Sequence, residues 1–134
     1  MLGLKHTPNV VVIMLGTNDS IDAIWQGEEY FKYYYKLIID QIRHFIKPLP
    51  AIFIASPPPN IADLKDSMFM INVTNKILPK LIPEIAKEVG ATYIDVFDKM
   101  GGDDRSKTKM IAREHGKDSD GIHYGYTTMS KIIF

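Results

Sequence analysis

Val10-Val11-Val12-Ile13-Met14-Leu15 is the segment that most limits what this chain can fold into. An uninterrupted apolar run, β-branched over its first four residues and ended by Gly16, predicts a strand buried on both faces, as in parallel sheets. Thr17-Asn18-Asp19 then falls at the carboxyl end of that strand. Open parallel α/β sheets bind their ligands at that edge. An asparagine there can aim its side-chain amide at a developing oxyanion, whereas the plain reading of Gly-Thr-Asn-Asp is a turn. Gly16 would let the backbone approach a ligand closely. Asp19 reads as a residue that pins or caps the turn.

The rest of the chain alternates helix and strand. Glu28 and Glu29 suit a helix amino terminus, and Tyr30, Phe31, Tyr34, Tyr35, Ile38, Ile39, Ile42, Phe45 and Ile46 follow at helical period. Arg43, His44 and Lys47 complement the last turn, and Pro48 and Pro50 stop it. Ala51–Ala55 is a second buried-type strand that runs into Ser56-Pro57-Pro58-Pro59 at the same sheet edge as Asn18. Residues 68–89 read as helix, broken or kinked by Pro79 and Pro83 into a short helix before Pro79 and a longer one starting near it. Gly90 is a helix stop, Tyr93–Phe97 a third strand, and Met100–Ser119 a long polar loop before a last helix from Tyr126 to Ile133. This order implies an α/β fold: one parallel sheet with flanking helices, three-layered and flavodoxin-like.

With 134 residues the chain is expected to form one domain. Sixteen basic residues cancel sixteen acidic ones, so no electrostatic case exists for nucleic acid. No apolar run approaches the ~20 residues of a membrane span. Zero cysteines remove disulfides, thiolate catalysis and thiolate metal ligands together. The residues ahead of the first strand read as too short for a secretory signal, and no compartment is assigned.

A second chemical signal is Asp120-Gly121-Ile122-His123, which puts a carboxylate three residues before an imidazole. A carboxylate at that spacing can fix the tautomer of a histidine base from within one loop. His115, Asp118, Asp120 and His123 read alternatively as a metal set, but their spacing resembles no common metal motif. Trp25 precedes the first helix in the loop near Asn18, where it can line a small acyl or sugar pocket.

Val10–Asp19 and Asp120–His123 together resemble the third and fifth sequence blocks of the SGNH (GDSL-type) hydrolases, a family of esterases and acylhydrolases. Asn18-Asp19-Ser20 with Trp25, Pro57-Pro58-Pro59, and Gly90-Ala91 leading to Ile94-Asp95 resemble the branch described as sialate or carbohydrate O-acetylesterases. The resemblance implies ester hydrolysis through an acyl-serine: His123 as general base and then acid, Asp120 orienting it, Asn18 in the oxyanion hole, no cofactor and no metal. The implied substrate is a small-molecule ester, in that branch an acetylated carbohydrate. The two blocks that carry the family's serine and a glycine have no counterpart here. Residues 1–134 are therefore expected to be the carboxyl-terminal two-thirds of one such domain, without its first strands. Ser56 is followed by Pro57, which lacks the N–H an oxyanion hole would use, and Ser20 sits where the family has no nucleophile. The competing class is a non-catalytic remnant that binds a ligand or a partner chain. A flavodoxin-like nucleotide binder is disfavoured because no strand ends in a glycine-rich phosphate loop. The strand at residues 10–15, left without its family neighbour, is expected to self-associate.

Overall fold

The computed structural model describes residues 7–61 and 68–115. Three short strands, β1 (Val10–Ile13), β2 (Ala51–Ala55) and β3 (Thr92–Ile94), pair in parallel in the order β1-β2-β3. The register sets Val11 beside Ile52 and Ile54 beside Tyr93. Parallel neighbours need crossovers. Here α1 (Glu28–Phe45) joins β1 to β2, and α2 (Leu78–Val89) joins β2 to β3.

Both crossovers step in the same direction across the sheet, so one handedness places both helices on one face. The main core records this. Phe31, Tyr35 and Ile39 of α1 and Leu78, Leu81, Ile82 and Ile85 of α2 are buried with Ile13, Ile52 and Ile54. Alternation along the strands sends Ala55 and Ile94 to the other face, where they meet Val96 and Met100. Val96 belongs to α3 (Val96–Lys99), and Ile111 of α4 (Arg105–His115) packs on the same cluster. Among the described residues this second face is covered on the β3 side, while Val10 and Val12 remain 53% and 40% exposed. The strand expected to be buried on both faces is thus an edge strand with one buried face. It also ends at Ile13 rather than Leu15.

Lys32 and Lys36 of α1 both pair with Glu88 of α2, and the Arg43 guanidinium donates to the Val89 carbonyl. The two ammonium groups hold the Glu88 carboxyl below its usual range, and Glu88 raises Lys32 in turn. The two ion pairs are partly or fully open to solvent and orient α1 more than they stabilise it.

Three local expectations meet the structure differently. The short helical segment before Pro79 and the longer helix starting beside it are as expected, but the two run on without a break. Residues 71–72 are already helical, Val73–Ile77 form a π-helical turn in which the Leu78 N–H donates to Val73, and α2 continues through Pro83. Pro79 falls in the first turn of α2, where a missing N–H is tolerated. The third strand stops at Ile94, because Asp95 accepts from the Asp98 N–H and starts α3. Residues 105–115 are helix rather than loop, and the Asp104 carboxylate accepts from the Ser106 and Lys107 amides at 3.0 Å. Gly90 does stop α2, with φ +66° and a Schellman pattern: its own N–H reaches Lys87 and the Ala91 N–H reaches Ala86. The helix expected at residues 126–133 lies outside the described residues.

Tyr35 is 2% exposed, and its hydroxyl has no hydrogen-bond partner among the described residues. Burial pushes its pKa well above the usual tyrosine value; the nearby Leu15 backbone opposes this weakly and the Asp19 carboxylate adds to it. The folded protein keeps this phenol neutral, whereas the unfolded chain ionises it at about 10. The stability it contributes is therefore complete below about pH 10 and is lost as pH rises above that value. Tyr35→Phe is expected to leave stability unchanged or raised at neutral pH, since the hydroxyl is unbonded. It should also reduce the loss of stability in alkali, as read by urea unfolding on either side of pH ~10.

Candidate active site

The carboxyl ends of β1 and β2 define the sheet edge where the chemistry was expected. Asn18 opens a 3-10 turn, Asn18–Ser20, one short link beyond β1. It is exposed, and its side chain makes no hydrogen bond among the described residues. The turn beneath it is tightly held. The Ser20 N–H donates to Gly16 at 3.1 Å, and its hydroxyl donates to the Thr17 carbonyl at 2.6 Å. Thr74 in turn donates to the Ser20 oxygen at 3.0 Å. Met70 N–H to the Ser20 carbonyl and Asp22 N–H to Met68 complete a small antiparallel zipper, with Ile21 facing Phe69. Among the described residues the Asn18 amide is therefore unbonded, on a turn held by hydrogen bonds.

Gly16 is buried at φ +121°, a conformation that side-chain-bearing residues rarely adopt. A Cβ there would lie 2.7 Å from a Leu78 methyl and 3.4 Å from the Phe31 ring. Its smallness lets α1 and α2 close against the start of the Asn18 turn. Trp25 lies in the loop ahead of α1, half-buried, with its ring centroid 5.8 Å from that of Phe31. With Leu15, Asp19, Gln26, Tyr30 and Tyr34 it lines a cleft of about 150 Å³. A volume of that order holds one small ring.

Ser56 does not face the cleft as a nucleophile would. It is fully buried, and its oxygen accepts from the Val96 and Phe97 amides at 3.0 Å each, capping α3. Ser20 is likewise fully buried and bonded on both sides. Asp120 and His123, and with them Asp118, lie outside the described residues, as does any contact between them and Asn18. Among the described residues no three histidine, aspartate or glutamate side chains gather as a metal set.

The supporting polar residues were not expected. Asn75, in the π-helical turn, accepts from the Asn60 N–H at 2.8 Å and donates to the Asn60 carbonyl at 3.0 Å. That reciprocal pair fastens the loop after β2, as Thr74 fastens the turn after β1. Thr74 and Asn75, set between Val73 and Ile77 in a helical stretch, were the available signal, since buried polar groups need partners.

Residues 2–126 match the sequence profile of the GDSL-like lipase/acylhydrolase family. The chain belongs to this family. Solved structures similar to this GDSL-like chain include a carbohydrate acetylesterase family member from Sinorhizobium meliloti, at TM-score 0.61 and 19% identity, covering 93% of this chain and 55% of the other. A candidate arylesterase from Agrobacterium tumefaciens str. C58 superposes at TM-score 0.64 and 22% identity, covering 92% and 56%. At such identities the likeness is one of fold. The GDSL-like chain spans about half the length of the solved structures it matches. No curated protein matches its sequence.

The geometry around Gly16 is directly testable. Gly16→Ala adds a methyl group into Leu78 and forces an unfavourable φ, and should destabilise the fold by about 1–3 kcal/mol. A lowered urea midpoint at unchanged m-value is the expected reading.

Proposed function

We propose that residues 1–134 form part of one ester-hydrolase domain and supply its oxyanion donor and its base. In this reading the Asn18 side-chain amide donates to the oxyanion of the tetrahedral intermediate. His123 takes the proton from a serine hydroxyl, returns it to the departing alkoxide, and then activates water against the acyl-serine. Asp120 holds the imidazole in the required tautomer. Gly16 shapes the start of the turn, and Trp25 borders the substrate. The substrate class is a small ester, with an acetylated carbohydrate as the narrower reading. The printed description of the Sinorhizobium protein and the Asn18-Asp19-Ser20 and Trp25 features favour it. The chemistry requires no metal or organic cofactor.

The observation that carries the reading is Asn18 at the carboxyl end of β1, exposed and without a side-chain hydrogen bond among the described residues, on a turn anchored by Ser20 and Thr74. In this proposal the nucleophilic serine lies on polypeptide outside the 134 residues; Ser20 and Ser56, the serines that follow β1 and β2, are both committed to structural hydrogen bonds. The same commitment favours one second reading, a non-catalytic ligand- or partner-binding domain.

Hydrolysis of p-nitrophenyl acetate separates the two. The 134-residue chain alone should be no faster than its His123→Ala variant. The coding frame upstream of Met1 should read a Gly-Asp-Ser after a hydrophobic strand, and the longer protein should hydrolyse the ester. In that protein Asn18→Ala should lower kcat about 10²–10³-fold, the effect of removing one oxyanion donor. Lack of any such upstream frame, with an inert chain, selects the binding domain. A robust rate from the 134-residue chain that His123→Ala abolishes would overturn the placement of the serine.

A further inference from the structure

The cleft beside the Asn18 turn has walls of one chemical kind. Trp25, Tyr30, Phe31, Tyr34 and Tyr35 all line it. Ring centroids lie 5.8 Å apart for Trp25 and Phe31, 5.5 Å for Phe31 and Tyr35, and 4.6 Å for Tyr30 and Tyr34. Among the described residues Asp19 is the one charged side chain on the lining, and no ion pair engages it. The surrounding sequence is acidic throughout: residues 9–31 contain Asp19, Asp22, Glu28 and Glu29 and no lysine, arginine or histidine. The next cations along the chain, Lys32 and Lys36, are held by Glu88 on the side of α1 that meets α2. Tyr35, the most buried of the five rings, has a hydroxyl without a partner among the described residues, near the Leu15 backbone and the Asp19 carboxylate.

Aromatic faces are negative and attract a cation held within about 6 Å of the ring centre. A carboxylate among such faces adds a full charge, and acidic surroundings raise the local concentration of cations. A purely apolar ligand has no use for Asp19, and a metal ion needs more than one such ligand. We propose that the cleft is a subsite for an organic ammonium group, the charged end of the alcohol in the ester substrate. Its role as a substrate subsite rests on the ester-hydrolase reading; the binding of ammonium does not. The cleft of about 150 Å³ has room for one trimethylammonium group or one small ring. The ammonium is carried either by a small quaternary amino alcohol or by a hexosamine, and the second also satisfies the carbohydrate reading. Asp19 directly follows Asn18, so an ammonium held here stands beside the candidate oxyanion donor, as the two ends of one small ester require.

Trp25 is the only tryptophan in the chain, so its fluorescence reports on the cleft itself. The test is titration of the 134-residue chain with choline and with glucosamine, at a mildly acidic pH where both are charged and at constant ionic strength in sodium chloride. At least one should give a saturable change. It should bind about tenfold more tightly than its uncharged counterpart, 3,3-dimethylbutanol for choline and glucose for glucosamine. Choline as the better ligand assigns the subsite to a quaternary ammonium, glucosamine to one borne on a sugar. Asp19→Asn should weaken binding about tenfold and Tyr34→Leu severalfold. Asp40→Asn, on α1 but outside the cleft, should leave it unchanged. Tyr34 is 46% exposed, so Tyr34→Leu keeps the test open if Asp19→Asn disturbs the turn. No saturable response, equal affinity for the uncharged counterparts, or indifference to both cleft variants overturns the proposal. In the longer protein, hydrolysis of p-nitrophenyl acetate without ammonium binding defeats the subsite alone, and binding without hydrolysis defeats the esterase reading alone.

Discussion

Leu78 resting against Gly16 and Phe31 is the contact on which the arrangement depends. It joins the turn leaving β1, the first helix and the start of the second at one point beneath Asn18. Leu78 is fully buried, and it is also the residue at which the π-helical turn gives way to α2. A larger residue at Gly16 would separate the two helices from the sheet edge and shift the Ser20 and Thr74 hydroxyls that hold the turn. Close-packed interiors transmit such displacements instead of absorbing them. The position of the candidate oxyanion donor is thus a packing property before it is a chemical one.

Two kinds of polar residue surround that contact and do different work. Ser20, Ser56, Thr74 and Asn75 are buried and bonded, and fasten the loops after β1 and β2 to the helices behind them. Asn18 stays outside this network. Fixed loops that carry a polar side chain unbonded among the described residues are what a preorganised site requires, because donors already in place need no reorganisation when charge develops. The π-helical turn belongs to the same economy: it places Thr74 and Asn75 toward two different loops while letting Pro79 sit in a first helical turn.

The elements with strong periodicity were readable in advance. The Tyr30–Ile46 stripe located α1, Ala51–Ala55 located β2, and Gly90 marked the end of α2. The misread places share a cause. Pro83 was weighed as a breaker, although α2 continues through it. Residues 105–115 looked like loop because their apolar period is weak and their helix starts from an aspartate cap at Asp104. Asp95 was counted as strand because a cap looks like any polar residue until its partner, the Asp98 amide, is in place. For the site, Gly16, Asn18 and Trp25 could be named from sequence, whereas the roles of Ser56, Thr74 and Asn75 arise from partners 15 to 54 residues away.

By itself the sequence determined the α/β class, the parallel sheet implied by its alternating pattern, and the family. Those follow from local hydrophobic period and short motifs, which neighbouring residues carry without reference to distant ones. Tertiary structure alone decided that Val12 is exposed among the described residues, that Ser56 is a cap, and that Tyr35 of α1 is buried while Tyr34 beside it is exposed. Each of these depends on which elements become neighbours, and burial and hydrogen bonding across such separations exist only once the chain has closed on itself.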